Sequence, residues 1–171
     1  GKLSTNQARG NAGLDWTHAN SLDYNPEDNS FLISLRSQQW VVKIARSTGE
    51  IIWRLGSGGD FTLLSGEWFY AQHDAAWMAD SLTLCDNGNE RPGPSQGYSR
   101  GVRYEIDEVN MTATEIQSYT TDTYTARFGS TQGLQNGNLL LCAGGIQNNQ
   151  NAEIIEVDES GQLFWKMTLD E

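Results

Sequence analysis

Two histidines and one arginine are the residues of this sequence best suited to chemistry. The chain contains only two histidines, His18 and His73, and Arg91 follows His73 by eighteen residues. Imidazole can act as a nucleophile or as a general acid and base near neutral pH. The guanidinium group of arginine presents a fixed fork of hydrogen-bond donors that fits the oxygens of an anion. Together the three side chains are suited to binding a tetrahedral anion.

The two histidines occupy corresponding places in a repeated pattern. His18 begins the segment "HANSLDYNPEDNSFLISLR", His73 begins "HDAAWMADSLTLCDN", and Ser130 takes the same place in a third segment. A histidine in a strand is often a hydrogen-bonded structural residue, and this alternative stays open for both. Their shared place in the repeat favours a common site.

The repeats themselves predict the fold. Each contains four short runs rich in Val, Ile, Leu, Trp and Tyr, which is the length and composition of strands. Ser30, Ser81 and Asn138 hold the same place in successive repeats, 51 and 57 positions apart. A period of roughly 50 residues built from four antiparallel strands is typical of a β-propeller blade. The sequence therefore predicts an all-β fold with about three four-stranded blades, at approximately 14–56, 69–120 and 126–170.

Three blades do not close a ring, because closed propellers have roughly four to eight. We expect residues 1–171 to form one partial propeller domain whose missing blades come from the same longer chain or from a second chain. An open half-ring is the third possibility. The first residue, Gly1, and the apolar run just before Glu171 favour a piece of a longer chain. A stand-alone β-sandwich of about twelve strands is the alternative fold.

The loop that carries Arg91 is long and polar, and it also contains Asn87 and Asn89. Long loops on a rigid scaffold commonly carry function. The candidate substrate-binding residues are Asn20, Asn87, Asn89 and Gln147. The stretch "DNGNE" lacks the spacing of a calcium-binding loop, so no metal site is predicted.

Two further residue pairs hold equivalent places in the repeats. Trp53 and Trp165 are predicted to pack between blades. Cys85 and Cys142 should lie in neighbouring blades rather than face each other, so free thiols are favoured over a disulfide.

The charge of the chain limits its partners. It has 11 basic and 22 acidic residues and a net charge of −11, which repels the phosphates of nucleic acids. We expect no nucleic-acid partner. The chain could bind an anionic small molecule only in a pocket where a few cationic side chains are concentrated. No run of eighteen apolar residues occurs, so no membrane insertion is predicted.

Around the candidate residues the sequence resembles the bacterial arylsulfate sulfotransferase family, whose members do not use an activated adenylyl sulfate donor. The segments that carry the resemblance are "DWTHANSLDYNPEDNSFLISLRSQ", "VVKIARSTGEIIWRLG", "QHDAAWMADSLTLCDNGNER" and "YSRGVRYEID". They extend over nearly the whole chain, and their combination is far more specific than any one of them.

The resemblance implies a six-bladed propeller with its active site in the central channel, in a periplasmic or secreted enzyme. The implied reaction moves a sulfuryl group from a phenolic sulfate ester to a phenol acceptor, in a ping-pong cycle through a sulfohistidine. No metal or organic cofactor is implied. His18 and His73 would be acid, base and oxyanion-binding residues, and Arg91 would stabilise charge on the sulfuryl oxygens.

One position departs from the family pattern. The nucleophilic histidine of the family follows a glycine pair, and here that place reads "CAGGIQNNQNAE", with Gln147 or Asn148 in its stead. An amide nitrogen is not a nucleophile, because its lone pair is delocalised into the carbonyl. Two functions therefore stay open: sulfuryl transfer or a related reaction, and a non-catalytic propeller that binds a ligand or a partner protein.

Overall fold

A computed structural model describes residues 15–93, 97–146 and 151–169 of the chain. Within these ranges the chain forms thirteen β-strands in three sheets, together with one short 3-10 turn, Arg36–Gln38. The described residues contain no helix with the length and apolar character needed to cross a membrane.

Each sheet contains a four-stranded antiparallel meander, or blade, whose strands are hydrogen-bonded in chain order. Blade 1 consists of β1 (Ala19–Asn25), β2 (Ser30–Leu35), β3 (Trp40–Ala45) and β4 (Ile51–Leu55). A short strand, β5 (Thr62–Ser65), then precedes blade 2, which consists of β6 (His73–Met78), β7 (Ser81–Asp86), β8 (Arg100–Asp107) and β9 (Thr112–Thr120). Blade 3 consists of β10 (Ser130–Gly133), β11 (Leu139–Ile146), β12 (Asn151–Val157) and β13 (Leu163–Leu169).

The predicted all-β propeller architecture is confirmed by these three consecutive blades. The sandwich alternative is wrong, because the strands belong to three sheets in series rather than to two facing sheets. One strand was not predicted: β5 pairs in parallel with β9 and adds a fifth strand to the outer edge of blade 2. Covering an edge in this way removes unpaired backbone groups from solvent.

Blades 1 and 2 share one apolar core. Its members come from both sheets, and they include Leu32 and Trp53 of blade 1 and Leu84 and Tyr104 of blade 2, each at most 1% exposed. The ring of Trp53 contacts that of Trp77 in the next blade, with 6.0 Å between centroids. Trp53 is therefore the inter-blade residue that the sequence predicts. Trp165 differs, since it is 45% exposed on β13, the last strand that the structure describes.

A buried lysine reinforces the same boundary. Lys43 on β3 is 4% exposed, and its ammonium group donates to both carboxylate oxygens of Glu108 in blade 2, at 2.6 and 2.8 Å. It also pairs with Asp28 at 2.6 Å and lies 5.5 Å from the ring centre of Trp77. The lysine is satisfied by two carboxylates and an aromatic face, and it joins the first two blades.

The first strands of the three blades lie side by side. Strand β6 contacts β1 on one side and β10 on the other. The residues that begin these strands therefore converge at the same end of neighbouring blades.

The shared core predicts that blades 1 and 2 unfold together. Leu84→Ala should lower the free energy of unfolding by about 2–5 kcal/mol, because it leaves a cavity in a site that is fully buried. Leu64→Ala is the matched control, since Leu64 is 64% exposed on β5. Urea unfolding followed by tryptophan fluorescence measures both. Equal losses in the two variants would contradict the shared core.

Candidate functional site

The two histidine rings meet at the start of the first strands. His18 directly precedes β1, His73 is the first residue of β6, and their ring centroids are 6.3 Å apart in an edge-to-face arrangement. Both strands have a register irregularity at this point, between Ala19 and Ser21 and between His73 and Ala76. Such bulges re-aim side chains at the end of a sheet. The structure thus brings the two predicted histidines together.

A buried asparagine fixes the orientation of His73. Asn87 is fully buried, and its Nδ2 donates to the backbone carbonyls of Thr125 and Phe128, both at 2.8 Å. Its Oδ1 must therefore accept, and it lies 2.7 Å from Nδ1 of His73. The proton of the neutral imidazole is consequently on Nδ1, which leaves a lone pair on Nε2. A base or a nucleophile requires that lone pair.

The surroundings of His73 favour its neutral form. Burial is the largest cause that lowers the pKa of His73, and the positive charge of Arg36 and the proximity of His18 lower it further. The hydrogen bonds to Asn87 and to the backbone of Ala71 oppose this change without reversing it. The imidazole is therefore uncharged at neutral pH.

An aspartate orients the other histidine. Nδ1 of His18 is in close contact with Oδ2 of Asp15, a carboxylate three residues earlier. Since an ionised carboxylate only accepts hydrogen bonds, Nδ1 of His18 carries a proton and Nε2 is the nitrogen left for a ligand. The repeat pattern does not predict a role for Asp15, although the stretch "DWTH" contains the signal.

Asn20 ties the two strands together at this point. Its Nδ2 donates to the carbonyl of Gln72 at 2.8 Å, immediately before His73, while its Oδ1 is buried with no hydrogen-bond partner among the described residues. Gln72 is itself fully buried and donates to Trp40 and Ser34 of blade 1. The hydrogen bonds of Asn20 and Gln72 hold the start of β6 against blade 1.

Arg91 is placed differently from the sequence expectation. It is 3% exposed, and its guanidinium donates to the buried carboxylate of Asp86 at 2.5 Å and to Trp68 and Glu67 at 3.3 and 3.4 Å. The ring of Tyr98 lies 4.2 Å away. The guanidinium of Arg91 is thus engaged by groups of blade 2, and its role toward a substrate stays a prediction.

The remaining predicted residues divide between described and undescribed parts of the chain. Asn89 is half-buried in the loop that carries Arg91, and its Oδ1 has no hydrogen-bond partner among the described residues. Gln147 lies outside the described residues. The substrate-binding roles of Asn20, Asn87, Asn89 and Gln147 stay predictions.

A cysteine lies directly across the sheet from His73. Cys85 pairs with His73 in the β6–β7 register, and both it and Cys142 are free thiols. Burial raises the pKa of Cys85 to about 12. A thiol with this pKa is protonated at neutral pH, so Cys85 is not a candidate nucleophile. Residues 15–93, 97–146 and 151–169 contain no cluster of three or more side chains that could hold a metal ion.

A comparison with protein families decides the class of this chain. The family model described as Arylsulfotransferase (ASST) matches residues 2–170. The chain belongs to the arylsulfotransferase family. The resemblance seen in its sequence segments is thereby confirmed.

Two curated relatives in the arylsulfotransferase family carry the name arylsulfate sulfotransferase AssT. The protein of Escherichia coli O6:H1 is 31% identical over 141 residues, and that of Lelliottia amnigena is 30% identical over 142 residues. Each match covers 63% of this chain and 23% of the relative. The arylsulfotransferase segment described here therefore spans about a quarter of the length of these relatives.

A solved structure supports the fold. A Bacteroides fragilis protein assigned as a 6-phosphogluconolactonase matches with a TM-score of 0.51 and 15% identity, over 90% of this chain and 40% of that chain. At this identity the likeness concerns the fold of the arylsulfotransferase-family chain alone.

The lowered pKa of His73 predicts a pH dependence of stability. The unfolded chain binds this proton below about pH 6.5, while the folded chain resists binding it, so stability falls as the pH drops beneath that value. His73→Gln should remove this contribution. Urea unfolding at pH 7 and at about pH 5.5 should show a larger loss for the unsubstituted chain than for the variant. A larger loss in the variant would mean that the sign is wrong.

The contacts of Arg91 predict a structural cost of removing it. Arg91→Ala should lower the free energy of unfolding by about 1.5–3 kcal/mol, because the buried Asp86 loses a charged hydrogen bond. Arg100 also donates to Asp86 at 2.8 Å, so the carboxylate keeps one partner. Arg127→Ala is the control, since Arg127 is exposed. Unfolding midpoints that are the same for Arg91→Ala and the control would contradict this role.

Proposed function

We propose that the histidine pair takes part in the transfer of a sulfuryl group from a phenolic sulfate ester to a phenol acceptor. The observation that carries this proposal is the pairing of His18 and His73 at 6.3 Å, each with Nδ1 occupied by an oxygen. Nε2 of each ring is then the nitrogen left for a ligand. Membership of the arylsulfotransferase family supports this reaction over other acid–base chemistry.

We propose a direct transfer in which His73 acts on the acceptor oxygen and His18 acts on the donor oxygen. Nε2 of His73 accepts the proton of the acceptor phenol while its oxygen forms a bond to sulfur. The bond from sulfur to the donor oxygen breaks, and the leaving phenolate takes a proton from Nε2 of protonated His18. Asp15 lies beside the positive charge that His18 carries in that form. Proton exchange with water then returns both rings to their starting states, and no atom or charge is left over.

A direct transfer needs no nucleophilic histidine at the place where this sequence has Gln147 or Asn148. Gln147 cannot form a sulfohistidine, so within residues 1–171 a covalent cycle would require His18 or His73. Steady-state kinetics separate the two routes: direct transfer gives intersecting double-reciprocal lines when donor and acceptor are varied, and a covalent ping-pong cycle gives parallel lines.

We also infer that further blades complete the ring around this site. A closed propeller needs roughly four to eight blades. The curated relatives are several times longer than the matched segment, which supports this inference. The assays below therefore use the complete polypeptide.

The activity predicts the effect of removing either imidazole. With nitrophenyl sulfate as donor and phenol as acceptor, His73→Ala and His18→Ala should each lower kcat/KM by about 10²- to 10⁴-fold, because each removes an acid–base group. Release of nitrophenol, measured by absorbance, follows the reaction. Asn110→Ala is the control, since Asn110 lies in the β8–β9 turn at the outer part of blade 2. Turnover that survives in a double histidine variant would refute the proposal.

A ligand-binding propeller without turnover is the second candidate. It is favoured by the ion pair of Arg91 with Asp86, which engages the guanidinium that the resemblance assigns to the sulfuryl oxygens. In this case nitrophenyl sulfate would bind in a calorimetric titration but release no nitrophenol.

A further inference from the structure

The strand that carries His73 contains a bulge directly after this histidine. Between His73 and Ala76, strand β6 has two residues, Asp74 and Ala75, where β7 has one. Asp74 has a φ of 55°, in the left-handed region. A bulge whose first residue is left-handed usually has glycine there, because a side chain disfavours that conformation. The presence of an aspartate instead indicates that the carboxylate itself has a role.

The carboxylate of Asp74 joins blade 2 to blade 3. Its Oδ2 accepts the backbone N–H of Thr131, the second residue of β10, at 3.2 Å. Strands β6 and β10 are in contact but belong to different sheets, so a side-chain acceptor satisfies this backbone donor. Burial raises the pKa of Asp74, and the N–H of Thr131 opposes that rise. The hydrogen bond therefore stabilises the carboxylate and holds the start of β6 against β10.

The other side of β6 is held in the same way by blade 1. The N–H of Ala75 donates to Oγ of Ser21 at 3.0 Å, and that of Trp77 donates to Oδ2 of Asp23 at 2.9 Å. Side-chain acceptors thus replace strand pairing on both sides of β6. On the side of blade 3 the acceptor is the residue that directly follows the histidine.

The segment that leads into β10, residues 125–131, also controls the ring of His73. Two of its carbonyls hold the amide nitrogen of Asn87, whose Oδ1 accepts the hydrogen bond from Nδ1 of His73. Its last residue, Thr131, donates to Asp74. The same segment therefore fixes the imidazole through Asn87 and the adjoining backbone through Asp74.

This segment is closely packed against the strand opposite His73. Phe128 and Gly129 have φ of 64° and 120°. A Cβ atom on Gly129 would lie only 2.6 Å from Sγ of Cys85, so the approach requires glycine. Cys85 is the residue that pairs with His73 in the β6–β7 register. The close packing gives Asp74 a hydrogen-bond donor in a fixed place.

We propose that Asp74 is a positioning residue for His73. By binding the N–H of Thr131, it holds the bulge in the conformation that directs the imidazole to Asn87. In this role Asp74 acts through His73 and not on the substrate. Its effect on sulfuryl transfer rests on the function proposed above, while its effect on the ring rests on the hydrogen bonds alone. The place of the proton on His73 then depends on blade 3 as well as on blade 2.

Three substitutions in the complete polypeptide separate the parts of this role. Asp74→Asn removes the charge but keeps an oxygen that can accept from Thr131, and asparagine tolerates the left-handed region. Asp74→Gly keeps the backbone conformation and removes the acceptor. Asp74→Ala removes the acceptor and also disfavours the conformation. Asp80→Gly is the matched control, because Asp80 is exposed in the β6–β7 turn at the other end of the strand.

The first measurement is the tautomer of His73, read from ¹⁵N NMR spectra of histidine-labelled protein at a pH above the pKa of this residue. His73→Gln identifies its signals. We expect the proton on Nδ1 in the unsubstituted protein, in Asp74→Asn and in Asp80→Gly, because each keeps the acceptor for Thr131. The form with the proton on Nε2 should appear in Asp74→Gly and Asp74→Ala, because the ring is no longer held against Asn87.

Two results of this measurement would overturn the proposal. The first is a proton that stays on Nδ1 in Asp74→Gly. The second is an equal change in Asp74→Asn and Asp74→Gly, because the charge and not the acceptor would then be responsible. The spectra are recorded under conditions well below the unfolding midpoint of each variant, so that a change of tautomer reports the folded state.

Turnover separates this inference from the proposed function. With nitrophenyl sulfate and phenol, Asp74→Gly should lower kcat by about 10²-fold with a smaller change in KM, because a misplaced base slows the transfer more than it weakens binding. Asp74→Asn should recover most of kcat. A tautomer that depends on Asp74 in a protein without nitrophenol release would reject the function and retain the positioning role. Full turnover in Asp74→Gly with an unchanged tautomer would reject the positioning role alone.

Discussion

The hydrogen bond between Nδ1 of His73 and Oδ1 of Asn87 is the interaction on which the candidate site depends. Asn87 can accept this bond in only one orientation, because its amide nitrogen is held by two carbonyls of the β9–β10 loop. A neutral imidazole has one proton, so fixing it on Nδ1 exposes the lone pair of Nε2. The packing of the β9–β10 loop against blade 2 therefore determines which nitrogen of His73 carries the proton.

Buried ion pairs stabilise blades 1 and 2. Lys43 and Arg91 are almost fully buried and pair with carboxylates, so their charges contribute to cohesion. Buried charges that are paired with good geometry are expensive to remove but present little field to a ligand.

The sequence came close to the architecture because β-propeller blades are repeats. Ser30 and Ser81 begin corresponding strands, β2 and β7, and Asn138 directly precedes β11, as the spacing predicts. Strand β5 escaped this reasoning, because it lies in the connection between repeats and gains its hydrogen bonds only from β9. Trp165 occupies a place equivalent to Trp53, but its burial depends on a neighbouring sheet rather than on its own strand. The place of a residue in the repeat predicts that it lies in a strand more reliably than it predicts which residues its side chain contacts.

The sequence by itself determined that this chain forms antiparallel blades, that His18 and His73 start corresponding strands, and that it resembles the arylsulfotransferase family. These properties follow from local patterns and from their spacing along the chain. Only the tertiary structure decided that Asn87 and Asp15 orient the two rings, and that Asp86 engages the guanidinium of Arg91. The reason is physical: a side chain's partner depends on which carboxylate or carbonyl the fold brings within hydrogen-bond distance. Eighteen residues of spacing between a histidine and an arginine cannot specify that.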